Sequence, residues 1–395
     1  MSHSEPAGPG FFNALTRELR YYRSCYGDIC ISLSILIGSM VVVAWIFSSA
    51  TLTNLPIAVV DTDNSSLSRT YIRMLEAAPE LHIAEKLNSV AEARERLEQA
   101  SIYAFVVIPN DFSKQIKTGG QTTVVAWHSG QFLTISGMIS KSLKVVTGTM
   151  SAGVKLTSLE KRGDSQVKAA VDFMPIKPEL RTLFNPFQNY QFFLVGSVLP
   201  AMLQVFVMVW TVFVVGREYS QNTQAVWLSS GKDVFRAVAA KVLPIFIIST
   251  VIGLSCLTWL YAVQGWPIEG SVTMLFIGWL VMIASYISLG LLFVAFSPQL
   301  ATALSLTVFF TAPAFAYAGI TFPQLGMPYL AQLWSYILPI RTLLRLQIEQ
   351  VEIAAPVTQS LPELLILVAF VVVPLPFALY RIHTRCKSNN AEEPA

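Results

Sequence analysis

Residues Ile29–Phe47 read ICISLSILIGSMVVVAWIF, a run without a single charge. At about 19 residues it is long enough for an α-helix to cross the hydrocarbon core of a bilayer. Five further blocks have the same character: Phe192–Val215, Val242–Val263, Val272–Phe296, Ala301–Phe322 and Leu364–Leu379. The last is short and carries Pro374 and Pro376, which blurs its limits. Charged residues are only 13% of the 395, against about 25% in soluble domains. About 28 residues precede the first block, whose apolar stretch exceeds a signal-peptide core of roughly 7–15 residues, so it reads as an uncleaved anchor. The expected fold class is a membrane α-helical bundle of six transmembrane helices with an inserted extracytoplasmic α/β domain.

Basic residues near the helix ends set the orientation. Arg17, Arg20 and Arg23 precede the first block; Arg217, Lys232, Arg236 and Lys241 lie between the second and third; Arg381, Arg385 and Lys387 follow the last. With six spans these three groups share one side, so both termini are expected to be cytoplasmic and the long segment from Thr51 external. The net charge of +3 is too small to point to nucleic acid. Cys25 and Cys30 flank the start of the first span, Cys256 lies in the third and Cys386 in the tail, so the external segment must fold without disulfides.

The expected organisation follows. Residues 1–28 form an amphipathic N-terminal helix and 29–47 the first span. Residues 51–188 form the external α/β domain and 192–379 the other five spans, with a polar loop over 216–241 and an external segment over 323–360. Residues 380–395 form the tail, disordered from Lys387. In the N-terminal helix Phe11, Leu15, Leu19, Tyr22 and Tyr26 recur at helical steps, with Arg17, Arg20 and Arg23 largely opposite. This suits a helix lying on the inner leaflet; an ordinary basic flank with accidental periodicity is the alternative.

In the external segment, strands are expected at Leu55–Val60, Leu81–Glu85, Tyr103–Ile108 and Thr122–Trp127, with helices at Ser66–Ala77 and Ser89–Ala100 and a restart after Pro109-Asn110-Asp111. Asp61-Thr62-Asp63-Asn64 supplies turn and cap chemistry. Ser89 with Glu92 has capping-box spacing. A long helix is expected over Phe132–Lys161. Its stripe Ile139, Leu143, Val146 and Met150 packs either on the domain's own sheet or on a second subunit or adaptor. Val167–Phe187 returns the chain to the membrane through prolines 175, 178 and 186.

Enzyme chemistry finds no support. Gly231-Lys232 is followed by Asp233 and lacks the upstream glycine of a phosphate-binding loop. His82 and His128 lack metal-ligand spacing. No ionisable residue falls inside the six blocks, which argues against a proton-coupled carrier.

Four stretches carry a family resemblance: Leu55–Arg69 (LPIAVVDTDNSSLSR); Ile108-Pro109-Asn110-Asp111-Phe112-Ser113; Val215-Gly216-Arg217-Glu218 continuing to Lys241-Val242-Leu243-Pro244; and Gly319–Pro323 through Met327-Pro328 to Leu338-Pro339-Ile340-Arg341. In this order they resemble permeases of the ABC type-2 exporter superfamily, in the branch with a large periplasmic domain between spans one and two. The family's usual glycine–threonine pair and Glu-Gln-Leu-type helix after Arg-Glu are replaced here by Asn222–Leu228. The resemblance implies a bacterial inner-membrane permease that is not itself an enzyme. It implies a second permease, identical or a sister, and a cytoplasmic ATPase that brings the ATP and Mg; this chain binds no cofactor. A periplasmic membrane-fusion adaptor and membrane lipid are further expected partners.

Two sets of residues become candidates. Arg217, Glu218, Lys232, Arg236 and Lys241, in the longest cytoplasmic loop, are expected to couple to the ATPase. Arg341 and Arg345 either line the outer end of a path for a lipophilic or amphipathic substrate or snorkel to headgroups, with Glu349 and Glu352 in reach for ion pairs. A membrane-anchored periplasmic sensor or scaffold is the rival reading.

Overall fold

In the computed structural model, residues 10–48, 53–118, 120–129, 133–160, 190–297 and 299–391 are described; the expected return segment Val167–Phe187 lies outside them. The chain divides into two compact units, residues 1–50 with 183–395, and residues 51–182.

The first unit opens with α1 (Phe11–Ser24) and α2 (Tyr26–Ile46), separated only by Cys25. The second unit is built on β1 (Leu55–Asp61), α3 (Ser66–Glu76), β2 (Leu81–Leu87), α4 (Val90–Glu98), β3 (Ala104–Ile108), α5 (Phe112–Lys117), β4 (Val125–His128) and α6 (Leu133–Glu160). Its sheet has the order β2-β1-β3-β4, with β1 parallel to β2 and β3, and β4 antiparallel to β3. β1 is apolar from Leu55 to Val60 because both its faces are covered, as parallel strands require. Ile57 and Val59 join one core, Ala58 and Val60 the other.

Local chemistry explains the element starts. Asp61 Oδ1 accepts from the amides of Asp63 and Asn64, and its Oδ2 accepts from Ser68 Oγ. Ser65 then caps α3 in a reciprocal box with Ser68. Ser89 Oγ accepts from the Glu92 amide at 3.2 Å to start α4.

The stripe on α6 is buried within the second unit itself. Ile139, Leu143, Val146 and Met150 all belong to the core that α6 shares with β1, β3 and α3. Tyr71 on α3 meets Thr147 at 2.7 Å across the same seam. The stripe is thus covered from within the second unit, by α3 as well as by the sheet side of the core.

The first unit continues with α7 (Tyr190–Ser220), α8 (Gln224–Ser230), α9 (Val234–Leu257, extended by a π-helical turn Thr258–Val263), α10 (Val272–Phe296), α11 (Leu300–Thr311) and α12 (Ala314–Tyr317). A 3-10 turn at Gln324–Gly326 leads to α13 (Tyr329–Tyr336), α14 (Pro339–Val351), α15 (Val357–Val372) and α16 (Pro374–Ala391). Six helical stretches are long and apolar enough to cross a membrane: Tyr26–Ile46, Gln191–Ser220, Val234–Val263, Val272–Phe296, Leu300–Tyr317 and Val357–Arg385. Together they fit a membrane helical bundle.

Several bounds differ from the sequence reading, and three of the differences arise because a helix continues past a charge that stops a hydropathy run. α7 runs on through Arg217 and Glu218, α9 begins after the Asp233 cap and so contains Lys241, and α15 begins at Val357 and contains Glu363. The spans are therefore not free of ionisable residues. The tail expected to be disordered from Lys387 is helical to Ala391.

Candidate functional site

The longer helices bring the sequence-predicted charges into one place. The last turn of α7 carries Arg217 and Glu218, and the second turn of α9 carries Lys241. α1 crosses them and inserts Arg17 and Glu18. Lys241 Nζ donates to Glu18 Oε1 and to Glu218 Oε1, the latter at 2.8 Å. Arg17 grips Glu218 with both terminal nitrogens, at 2.9 and 3.1 Å. Thr223, just before α8, donates to Glu218 Oε2 at 2.6 Å. The side chains of Glu18 and Glu218 are 1% exposed and that of Lys241 is 0% exposed.

Aromatic rings seal the cluster. The Arg217 guanidinium stacks over Tyr21 at 3.3 Å. Trp227 of α8 lies 5.2 Å from the Lys241 ammonium, and its indole N–H donates to the Ala237 carbonyl of α9 at 3.2 Å. Desolvation raises the phenols of Tyr21 and Tyr22 above the ordinary tyrosine range, so both stay neutral beside three cations. Two carboxylates face three cations here, and Glu218 is partnered on both oxygens. Glu18 Oε2 and Arg217 Nη1, by contrast, are buried without a hydrogen-bond partner, so the network holds by charge as well as by matched hydrogen bonds.

Glu18 escaped the sequence reading. Its signal was being the only acid in α1, yet its partner in α9 lies 223 residues away. The face of α1 also differs from expectation. Ala14 and Glu18 are buried, Arg17 turns inward, and Leu19 and Tyr26, expected on the apolar face, are exposed.

Of the five candidate coupling residues, Arg217, Glu218 and Lys241 are therefore interior. Lys232 and Arg236 are exposed, and Val226 and Phe235 stand out beside them at 61% and 62% exposure. The departure at Asn222–Leu228 does not abolish the short helix. Thr223 precedes α8 with its hydroxyl spent on Glu218 rather than on capping. Gly231 is required at the turn into α9, since a Cβ there would sit 2.5 Å from the Ala237 nitrogen.

The other candidates lie on α14, which is buried on nearly every side. Arg341 is buried, donates to Gln324 Oε1 at 3.1 Å and lies 4.3 Å over Tyr336. Arg345 has an exposed side chain and bridges two buried carboxylates, Glu349 at 3.4 Å and Glu363 at 3.1 Å. Glu349 was an expected partner; Glu363 was not, because it belongs to a span whose start was set too late. Ser360 donates to Glu349 Oε2 at 2.7 Å, and the fully buried Gln350 donates to Ser360 and the Ala355 carbonyl.

Gln350 also holds the loop before α10. Its Oε1 accepts from the Ser271 amide, and its carbonyl accepts from the Gly270 amide, both at 2.8 Å. A Cβ on Gly270 would stand 2.7 Å from that carbonyl. Gly270→Ala is therefore expected to cost about 1–3 kcal/mol through overpacking, read as a lower melting temperature of the purified protein. Among the described residues no group of acids, histidines and cysteines is arranged to hold a metal.

Comparison with known proteins fits this arrangement. A family model described as ABC-2 family transporter protein matches residues 28–380. The probable multidrug ABC transporter permease YbhR of Escherichia coli (strain K12) is 26% identical over 298 residues, which cover 73% of this chain and 75% of that protein. Its counterpart YbhS from the same organism is 24% identical over 249 residues, covering 62% and 63%. The linearmycin resistance permease protein LnrN of Bacillus subtilis (strain 168) is 30% identical over 98 residues, 25% of each chain. ABC-2 permeases are the membrane subunits of transporters, not enzymes themselves, and the family implies a second permease and a partner ATPase. With the family match running from the first span to the last, this multi-pass membrane protein belongs to the ABC-2 transporter family.

Proposed function

We propose that the chain is the permease subunit of an ATP-driven exporter of lipophilic or amphipathic compounds, with both termini in the cytoplasm of a bacterial cell and residues 51–182 in the periplasm. ATP and Mg belong to the partner ATPase. The second permease is a further copy or a sister chain, and the periplasmic domain is where a membrane-fusion adaptor would engage. The orientation is supported by Arg20, Arg23, Lys232, Arg236, Arg381 and Arg385, which gather at the ends assigned to the cytoplasm. Lipophilic cargo is supported by an uncharged groove of about 550 Å³ between α2, α7 and α9, lined by Met40, Trp45, Cys256 and Trp259, and by the multidrug names of the two Escherichia coli relatives.

One observation carries the coupling role: the buried cluster of Glu18, Glu218 and Lys241 ties the α8 turn to α1, α7 and α9 at once. A push on the exposed surface of Val226, Lys232, Phe235 and Arg236 would reach two spans through ion pairs rather than through a slack loop. Lys232→Glu combined with Phe235→Asp changes only exposed side chains. In complexes reconstituted with the ATPase and a paired permease, this variant is expected to insert normally and lose most substrate-stimulated ATP hydrolysis. Stimulation at the wild-type level would place the docking surface elsewhere.

A further inference from the structure

Pro200 lies inside α7. Proline has no N–H, so the carbonyl four residues earlier, on Gly196, loses its helical partner. An unpaired carbonyl in the dry interior of a bundle is costly. The side chain that repairs it comes from another element. Gln347 of α14 donates Nε2 to the Gly196 carbonyl at 2.9 Å. The same carboxamide accepts from the indole N–H of Trp279 on α10 at 3.3 Å. Gln347 is 7% exposed, so its two interhelical bonds form away from solvent. The residue repaired is a glycine, and a Cβ at Gly196 would stand only 3.3 Å from Gln347 Nε2. The amide thus approaches the helix at a position where a side chain would crowd it.

Proline breaks are where helices bend, because the missing hydrogen bond and the ring's bulk weaken one side of the turn. Here the weakened turn of a spanning helix is closed by α14, which is also fixed at its other end by Gln350 and Glu349. The start of α14 is held too, by the Ile340 amide donating to Tyr286 Oη of α10 at 3.2 Å. Any bend of α7 at Pro200 therefore pulls on Gln347, and any displacement of α14 opens or closes the α7 turn.

We propose that Gln347 is a positioning residue that couples bending of α7 at Pro200 to movement of α14 during transport. This rests on the exporter reading of the chain. The rival role is narrower: Gln347 would only satisfy a stranded carbonyl.

Pro200→Ala separates the two, because alanine returns the N–H that Gly196 lacks. Gln347→Met keeps the volume and removes the amide. In the full chain, Gln347→Met is expected to lower the melting temperature by about 2–4 °C and to reduce substrate-stimulated hydrolysis in the reconstituted complex roughly 3- to 30-fold. Added to Pro200→Ala, it is expected to lower melting less than it does alone, because only the Trp279 indole N–H is then left unpaired, while stimulated hydrolysis stays low. Recovery of both quantities in the double variant would leave only the carbonyl-satisfying role and overturn the proposal, as would full stimulation in Gln347→Met alone.

A distance measurement keeps the test independent of the exporter reading. Spin labels at Phe193 on α7 and Ile353 directly after α14, both exposed, are placed in a chain with its native cysteines replaced. They should report one narrow distance in the otherwise unaltered chain and a broadened one in Gln347→Met. Absence of stimulated hydrolysis without either substitution counts against the exporter reading; an unbroadened distance in Gln347→Met counts against the coupling itself.

Discussion

Replacing Lys241 with methionine is expected to destabilise the first unit by about 3–5 kcal/mol, the usual cost of removing one partner from a buried ion pair. Methionine matches the stem of lysine closely, so the loss is of charge and hydrogen bonds rather than of volume. What remains is the problem: Glu18 Oε1 and Glu218 Oε1 both face the position of the missing ammonium. Arg17 keeps its two bonds to Glu218, yet the two carboxylates lose the cation that separated them. The expected result is a sharp fall in monodisperse protein after detergent extraction and a lower melting temperature in what survives. Adding Glu18→Gln removes one of the two facing charges and is expected to recover part of the loss, which a double-mutant cycle would express as a coupling energy. The same change at Lys232, an exposed side chain, should leave melting unmoved. If Lys241→Met melts with the unaltered protein, the cluster contributes little and the coupling role built on it falls.

This cluster also marks where sequence reasoning reached its limit. Hydropathy located every spanning helix, because a run of about 20 apolar residues matches the thickness of a bilayer and exceeds what a buried core helix needs. It placed the helix ends wrongly at Glu218, Lys241 and Glu363 because it treats each charge as belonging in water. Each of these charges is neutralised by a partner from a different element: Lys241 by Glu18, Glu218 by Arg17, Glu363 by Arg345. Nothing local in the chain announces a partner some 200 residues away. Uncharged polar groups were harder still. Pro200 in a span strands a carbonyl, but only the packing of α14 against α7 identifies its donor as Gln347.

In the second unit, strands and caps were readable because their signals are short-range. Asp61, Ser65 and Ser89 act within a few residues of themselves. The stripe of α6 was readable as a stripe only. Helical periodicity says that one face is covered, not what covers it.

The structure turns that ambiguity into a quantitative difference between two neighbouring positions of α6. Ile139 is fully buried in the core that α6 shares with β1, β3 and α3. Ile139→Ala should cost about 2–5 kcal/mol, lost transfer energy plus a cavity that rigid neighbours only partly collapse. Val145, on the other side of the helix, is 60% exposed. Val145→Ala should shift stability by no more than about 0.5 kcal/mol, as surface changes usually do. Hydrogen exchange of the full chain in detergent reads both without requiring the domain to be excised. In Ile139→Ala the amides of β1 and β3 should exchange faster by the factor that the lost stability implies, while the first unit keeps its protection. Had the stripe been a partner surface, the variant would exchange like the unaltered chain and lose only an association. Protection of β1 and β3 unchanged in Ile139→Ala would therefore return the stripe to the surface, against the packing described above.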